Sequence, residues 1–506
     1  MVSGAIGNRI RGSVEERSDG HESSGYAMAS RPRWHLVSLA AVTVWGAWAC
    51  EQGLTSLGRR GGWMMLMIAV WTIALRRMGG ASSWAKSILI VSSITIVGWR
   101  STTEWSEVRT VDFGEVATVA TLASDPEPLG RGVKVLLSID GRRFEAVVYG
   151  SNAAGVSGLE RGESVRVVGR TRETREERRR RSQVRHIVGM IEVESFSDPE
   201  GGARRRSRAL ERSANDVRDV MARGASVMKG DDAALFAGLV YGDDSAQSEE
   251  MVERFRESGL AHLTAVSGQN VGYLLAIITP LLRRRGRWTR LSVTLGALVW
   301  FAVLTRVEPS VVRAAGMAAV SAVALSIGWR PRAIEVLSMC VIVFVIVDPF
   351  LAWSIGWWLS TAGTFGLVVW TPSIHRLLRG ASERRRRLAD WVAPTIAAQL
   401  GVLPVSVAVF GWPSALALPA NLLAAPVAGV VMLVGIPMAL VAGTVPAVAD
   451  LAMILPTVAV RWVDTVALVA ARVEPPRVID IVVTLSIPLS LVVAGRFSRH
   501  RCANLG

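Results

Sequence analysis

From residue 34 onward, long apolar runs alternate with short polar breaks. Runs at about 36–50, 62–76 and 87–99 predict three closely spaced membrane helices. Between 111 and 196 the pattern shortens to alternation. EVATVATLA (115–123), GVKVLLSID (from 132), RRFEAVVYG (142–150), ESVRVVGRT (163–171) and IVGMIEVES (187–195) each read as a half-buried strand. Asp140-Gly141 is a tight hairpin signal between the second and third, and Gly162 marks a turn before the fourth. Five short strands in this space suit a small OB-like barrel; a plain β-sandwich is the alternative. An amphipathic helix follows near 204–229, and DAALFAGLVY (232–241) is too short to span a bilayer. Further spans are expected near 258–282, 291–306, 310–328, 333–350, 352–371, 391–410, 415–443 and 478–495. The stretch 415–443 reads as one broken helix or two short ones. The stretch 447–471 is interrupted by Pro456, Arg461 and Asp464, and is expected in the interface or lining a cavity.

Composition agrees with a membrane protein carrying a soluble insert. Half of the 506 residues are apolar and 20% are charged, with a mean hydropathy of +0.35. Collagen-like, disordered and disulfide-scaffold classes are excluded. The net charge is +15, and only Lys86, Lys134 and Lys229 among the basic residues are lysines. Basic clusters at 283–290, 329–332 and 376–387 are separated by pairs of spans, so all three share one side. By the positive-inside rule that side is the cytoplasm, in the plasma (inner) membrane. Arg31 and Arg33 precede three spans and give the same answer: the β domain lies outside.

The expected fold class is therefore a polytopic α-helical membrane protein with a small extracytoplasmic all-β, OB-like domain. The divisions are a disordered leader (1–33), an N-terminal transmembrane cluster (34–100), the β domain (111–196), an Arg-rich linker with amphipathic helices (197–257), a transmembrane domain (258–495) and a basic cytoplasmic tail (496–506). Met28 is an alternative translation start. Cys50, Cys340 and Cys502 show no metal or pairing pattern.

Two polar features stand out. Arg172, Arg175, Arg178, Arg179, Arg180, Arg181 and Arg185 crowd the connection between the last two strands. Topology does not explain arginines on the outer side; a polyanionic ligand does, and a solvated charged hairpin is the plainer alternative. Within span 258–282, His262, Ser267, Gln269 and Asn270 stand at membrane depth, with Gly268 and Gly272 permitting a local break. Spacing alone leaves two roles open, helix-to-helix glue or a polar pathway. Gln399 and Asn421 pose the same choice, and Arg313 is either a phosphate guide or a snorkelling interface residue.

GLAHLTAVSGQNVG (259–272) resembles the GLxHLLAISGLHVG signature of the ComEC family of competence DNA channels. GLVYGDDSAQSEEMVERFRESG (238–259), EPSVVRAAGM (308–317), VDPFLAWSIGWWLSTAGTFGL (347–367) and AAQLGVLPVSVAVFGWPSALALPANLLAAPVAG (397–429) are similar to further family elements in the family's order. Together they cover about 230–445. The five strands match the OB-like domain that precedes the channel. Asn270 stands where the family commonly has histidine, and Trp357-Trp358-Leu359-Ser360-Thr361 replaces its FQLSF. Both changes weaken any obligatory chemical role for those side chains.

The resemblance implies import of single-stranded DNA into the cytoplasm during natural transformation. His262, Ser267, Gly268, Asn270, Gly272, Arg313, Gln399 and Asn421 would line the substrate path, and the seven arginines would gather DNA. Many family members carry a metallo-β-lactamase-like domain. The six histidines here form no HxHxDH cluster, and no lysine sits in a GxxxxGK[ST] loop. The expectation is a transporter with no catalytic residue, no metal and no cofactor. Its expected partners are single-stranded DNA and membrane lipids, with an outer DNA receptor, a separate nuclease and a cytoplasmic translocase or recombination protein. Two alternatives are a transporter or flippase for another polyanionic or lipid-linked substrate, and a non-transporting membrane scaffold.

Overall fold

The computed structural model describes residues 34–53, 95–105, 108, 113–197, 209–264, 266–378, 382–473 and 476–486. The leader, the expected span 62–76, most of 87–99, the arginines at 204–208 and the basic tail lie outside the described residues.

Strands β1 (Glu115–Leu122), β2 (Glu127–Leu129), β3 (Gly132–Ile139), β4 (Arg142–Tyr149), β5 (Ser164–Arg172) and β6 (Ile187–Ser197) form one sheet in the order β1-β5-β6-β4-β3-β2. β1 also pairs with β3, which closes the five long strands into a barrel. β4 and β6 are parallel, while the other pairs run antiparallel. Helix α2 (Ser151–Ser157) fills the connection between β4 and β5. This is the OB-like barrel expected from the alternation. Leu122, Val135, Leu137, Phe144, Ala146, Val148, Val165, Val167 and Ile191 point inward and make its core. The β3–β4 turn needs two left-handed residues; Asp140 (φ 50°) and Gly141 (φ 81°) supply them.

One element departs from expectation. The Arg-rich connection is a short helix, α3 (Glu176–Val184), and not a hairpin loop. Glu and Arg are good helix formers, and pairs such as Arg179–Glu173 (2.7 Å) neutralise part of its charge.

The remaining elements are helical. Helix α1 (Trp34–Gly53) packs beside the second half of the chain. Helices α4 (Ala209–Ala225), α5 (Asp231–Tyr241) and α6 (Glu249–Glu257) precede α7 (Gly268–Leu282), α8 (Arg287–Leu304), α9 (Pro309–Ser326), α10 (Ala333–Val347), α11 (Ile355–Leu378), α12 (Glu383–Phe410), α13 (Ala417–Thr444) and α14 (Ala449–Arg472). Among the described residues, five helical stretches are long and apolar enough to cross a membrane: 261–282, 309–326, 383–410, 417–444 and 446–472.

Three details revise the expected spans. The first is broken: a 3-10 turn at Ala261–Leu263 ends before α7 begins at Gly268. The stretch 415–443 is neither broken nor doubled, because α13 is continuous through Pro426 and Pro437. The interrupted stretch 447–471 is also one continuous helix, α14. Its charges are matched at long range, Arg461 to Asp232 on α5 (2.8 Å) and Asp464 to Arg254 on α6 (2.8 Å).

Helices approach closely where glycine allows it. A Cβ on Gly401 of α12 would collide with the Ala362 carbonyl of α11, and one on Gly366 with the Ala397 carbonyl.

The barrel meets the helices at two places. Arg306, just after α8, donates to Asp125 of the barrel (2.6 Å) and to Asn215 of α4 (2.6 Å). His186, at the start of β6, contacts Asp348 after α10 (3.1 Å). Both contacts lie one helix away from basic clusters: α8 separates Arg306 from 283–286, and α10 separates Asp348 from 329–332. The barrel therefore sits on the helix ends opposite those clusters.

Candidate functional site

The broken first span builds the site. Val266 and Ser267, just before α7, are not helical, so their carbonyls need other partners. Ser310 at the start of α9 donates to the Val266 carbonyl (2.8 Å). Asn270, 4% exposed, donates to the Leu239 carbonyl at the end of α5 (3.1 Å). Ser310 thus satisfies a carbonyl of the break, and Asn270 ties the first turn of α7 to α5.

Arg313 projects from α9 into the same region and is buried. Its Nε donates to Ser360 Oγ (2.6 Å) and its Nη1 to Thr364 Oγ1 (2.8 Å), both on α11. Nη1 also lies 3.5 Å from Met317 Sδ. These partners are neutral, and among the described residues Arg313 has no carboxylate within ion-pair distance. A buried guanidinium held by hydroxyls keeps its charge uncompensated, which favours an anion. A Cβ at Gly268 would lie 3.1 Å from Arg313 Nη2, so glycine lets the guanidinium reach the first turn of α7. The positive end of that helix and the arginine converge on one spot.

A small cavity lies along the first turns of α7. Ser267, Gln269, Asn270, Tyr273, Gly429 and Met432 enclose a cavity of about 10 Å³, room for roughly one water. Gly429 of α13 faces the Tyr273 hydroxyl closely. The packing of α7 against α13 leaves no larger opening at this cavity.

The expected path residues divide. Ser267 and Asn270 meet each other at the small cavity, and Gly268 stands beside the Arg313 guanidinium. His262 makes a side-chain hydrogen bond with Asn421, which in turn donates to the Ala417 carbonyl (2.9 Å). Gln399 lies elsewhere, in an apolar cleft of about 30 Å³ with Ser414 and Thr484. Gly272 is exposed, with open space where a Cβ would stand. Arg313 stands near the start of α9, buried against α11. Ser360 and Thr364 were missed as site residues, although hydroxyls four apart in an apolar run share one helix face.

The arginines of the connection divide too. Arg175, Arg178, Arg181 and Arg185 are exposed. Arg172 pairs with Glu192 (2.8 Å) and Arg179 with Glu173, while Arg180 stacks 4.7 Å above the Trp353 ring. The barrel junction collects more charge. Arg218, 5% exposed, donates to Asp243 (3.1 Å), Asp125 (3.4 Å) and the Tyr241 and Leu304 carbonyls. Burial, then the acids Asp219 and Asp125, push Glu160 up to about 7 against the pull of Arg306 and Arg218.

These features define a helical membrane protein with an OB-like barrel seated on one end and a buried cationic site beneath a broken span. The family described as Competence protein matches residues 239–497, just over half of the chain, and the chain belongs to that family. It is similar to ComE operon protein 3 of Bacillus subtilis (strain 168), 28% identical over 204 residues, 40% of this chain and 25% of the relative. It is also similar to the uncharacterized protein YcaI of Escherichia coli (strain K12), 26% identical over 206 residues, 38% of this chain and 27% of the relative. The chain thus spans about a quarter of the length of these curated relatives. No solved structure matches it.

Proposed function

We propose that this protein is a plasma-membrane channel that passes single-stranded DNA into the cytoplasm during natural transformation. The observation that carries it is Arg313, a buried guanidinium with neutral partners beside the positive end of α7, in the segment that carries the family signature. A phosphodiester strand is the ligand such a site suits. Arginine-rich ends of the helices mark the cytoplasmic side, and the barrel then stands outside, where exposed arginines of α3 meet incoming DNA. The protein moves its substrate without chemical conversion. Energy and strand degradation come from partner proteins.

The test is deletion of the gene in its host with fluorescent DNA followed in the same cells. Labelled DNA held in the envelope, with transformants lost, supports the channel. Unchanged transformation overturns it.

A further inference from the structure

An aromatic cluster lies where α3 meets the helical half, and the channel mechanism so far makes no use of it. Trp48 of α1, Trp353 of the 3-10 turn after α10 and Trp358 of α11 stand together, with ring centroids 5.7 Å (Trp48–Trp353) and 5.6 Å (Trp48–Trp358) apart. Both Trp48 and Trp358 donate their indole N–H to one acceptor, the Ala352 carbonyl, at 2.7 and 2.8 Å. That shared acceptor fixes the rings from two helices around one turn. Trp48 remains 38% exposed.

Above the cluster sits Arg180, its guanidinium 4.7 Å from the Trp353 centroid. Its neighbours Arg178 and Arg181 are exposed. A planar cation over an indole face occupies the position a nucleobase takes in stacking. Below, α11 leads from Trp358 to Ser360 and Thr364, the hydroxyls that hold Arg313. Six residues of helix separate Trp358 from Thr364, a rise of about 9 Å. Exposed arginines, aromatic faces and the buried arginine therefore follow one another along a single line.

Resting on the channel function proposed above, we propose that Trp353, backed by Trp48 and Trp358, is a base-stacking platform for single-stranded nucleic acid at the channel mouth, covered by Arg180 when no strand is bound. Phosphates on α3 and a base on Trp353 engage together. Arg180 leaves the ring for the backbone as the base arrives. The barrel itself has few aromatic residues, so this platform supplies the stacking that OB-like domains normally provide. Stacking is indifferent to sequence because every base has a π-face, which suits a channel for DNA of any sequence.

The experiment uses the full chain in nanodiscs of neutral lipid. Binding of oligothymidylate is compared with binding of an abasic oligomer of equal length and charge. Wild type is expected to favour oligothymidylate about 5-fold or more. Trp353→Ala should abolish the preference and Trp353→Phe should keep most of it. Equal binding of both oligomers by wild type overturns the platform and leaves the channel standing, and it requires no variant to fold. Binding of neither overturns the channel as well. A Trp353→Ala protein that retains the preference also overturns the proposal.

Discussion

Asp125 is the residue whose loss should most disturb the seating of the barrel. Its Oδ2 accepts from Arg306 Nε (2.6 Å) and Arg218 Nη2 (3.4 Å), and its Oδ1 accepts the Arg161 backbone N–H (2.8 Å). One carboxylate thus joins the β1–β2 turn to α4 and to the end of α8. Arg218 and Arg306 are mostly buried, with side chains 6% and 13% exposed. Asp125→Asn keeps the shape and an acceptor but removes the charge both cations face. A hydrogen bond to a charged group contributes roughly 1.5–3 kcal/mol. The carboxylate is 29% exposed, which screens it, and Arg218 retains Asp243 and two carbonyls. The expected loss of docking free energy is about 2 kcal/mol, roughly a 30-fold rise in opening. Hydrogen exchange on the full chain in nanodiscs reads this directly in peptides from the β1–β2 turn and α4. A double-mutant cycle with Arg306→Ala should give a coupling of about 1–2 kcal/mol. Additive effects, within about 0.5 kcal/mol, would refute the shared-carboxylate account.

Other consequences are equally direct. Glu160 carries a folded-state value of about 7, above its usual 4.5, so folding favours its protonated form. Its contribution is full below about pH 4.5 and is lost as pH rises through about 7. Melting temperature should therefore fall less between about pH 5 and 8 in Glu160→Gln than in wild type; parallel profiles would contradict this. Gly401→Val puts a branched side chain against the Ala362 carbonyl, and should separate α11 from α12 and lower the melting temperature by several degrees at least, whereas Gly272→Ala, facing open space, should leave it unchanged. Replacing exposed Arg178 and Arg181 with Gln should weaken single-stranded DNA binding and flatten its log–log salt dependence by about 0.7 for each phosphate no longer neutralised; an unchanged slope places the DNA elsewhere.

The barrel was legible because its signals are local. Alternation in β3 and β4 fixed two faces, and Asp140-Gly141 can form the tight turn by itself. The clustered arginines were legible as a feature but not as a helix, because their i,i+4 geometry depends on where β5 stops. Helix α14 was read as interrupted because Arg461 and Asp464 look costly in isolation. Their partners, Asp232 and Arg254, lie more than 200 residues away, and only the fold brings them together. Ser267 and Asn270 stood out by polarity within an apolar run, and Gly268 as a residue that permits a break. Gln399 had the same signal but stands in another cleft, since polarity gives depth in the membrane and not direction around the helix. The ambiguity over Arg313 was of the same kind: its hydroxyl partners sit on a different helix.

The central claim is that Arg313 guides phosphates along the substrate path. Complementation of a deletion strain with Arg313→Gln, which keeps two donors and removes the charge, tests it most directly when fluorescent DNA and transformants are scored in the same cells. The expected result is wild-type protein level and DNA in the envelope, with cytoplasmic DNA and transformants reduced at least about tenfold, the equivalent of 1.4 kcal/mol. Full transformation by Arg313→Gln at normal protein level would contradict the account.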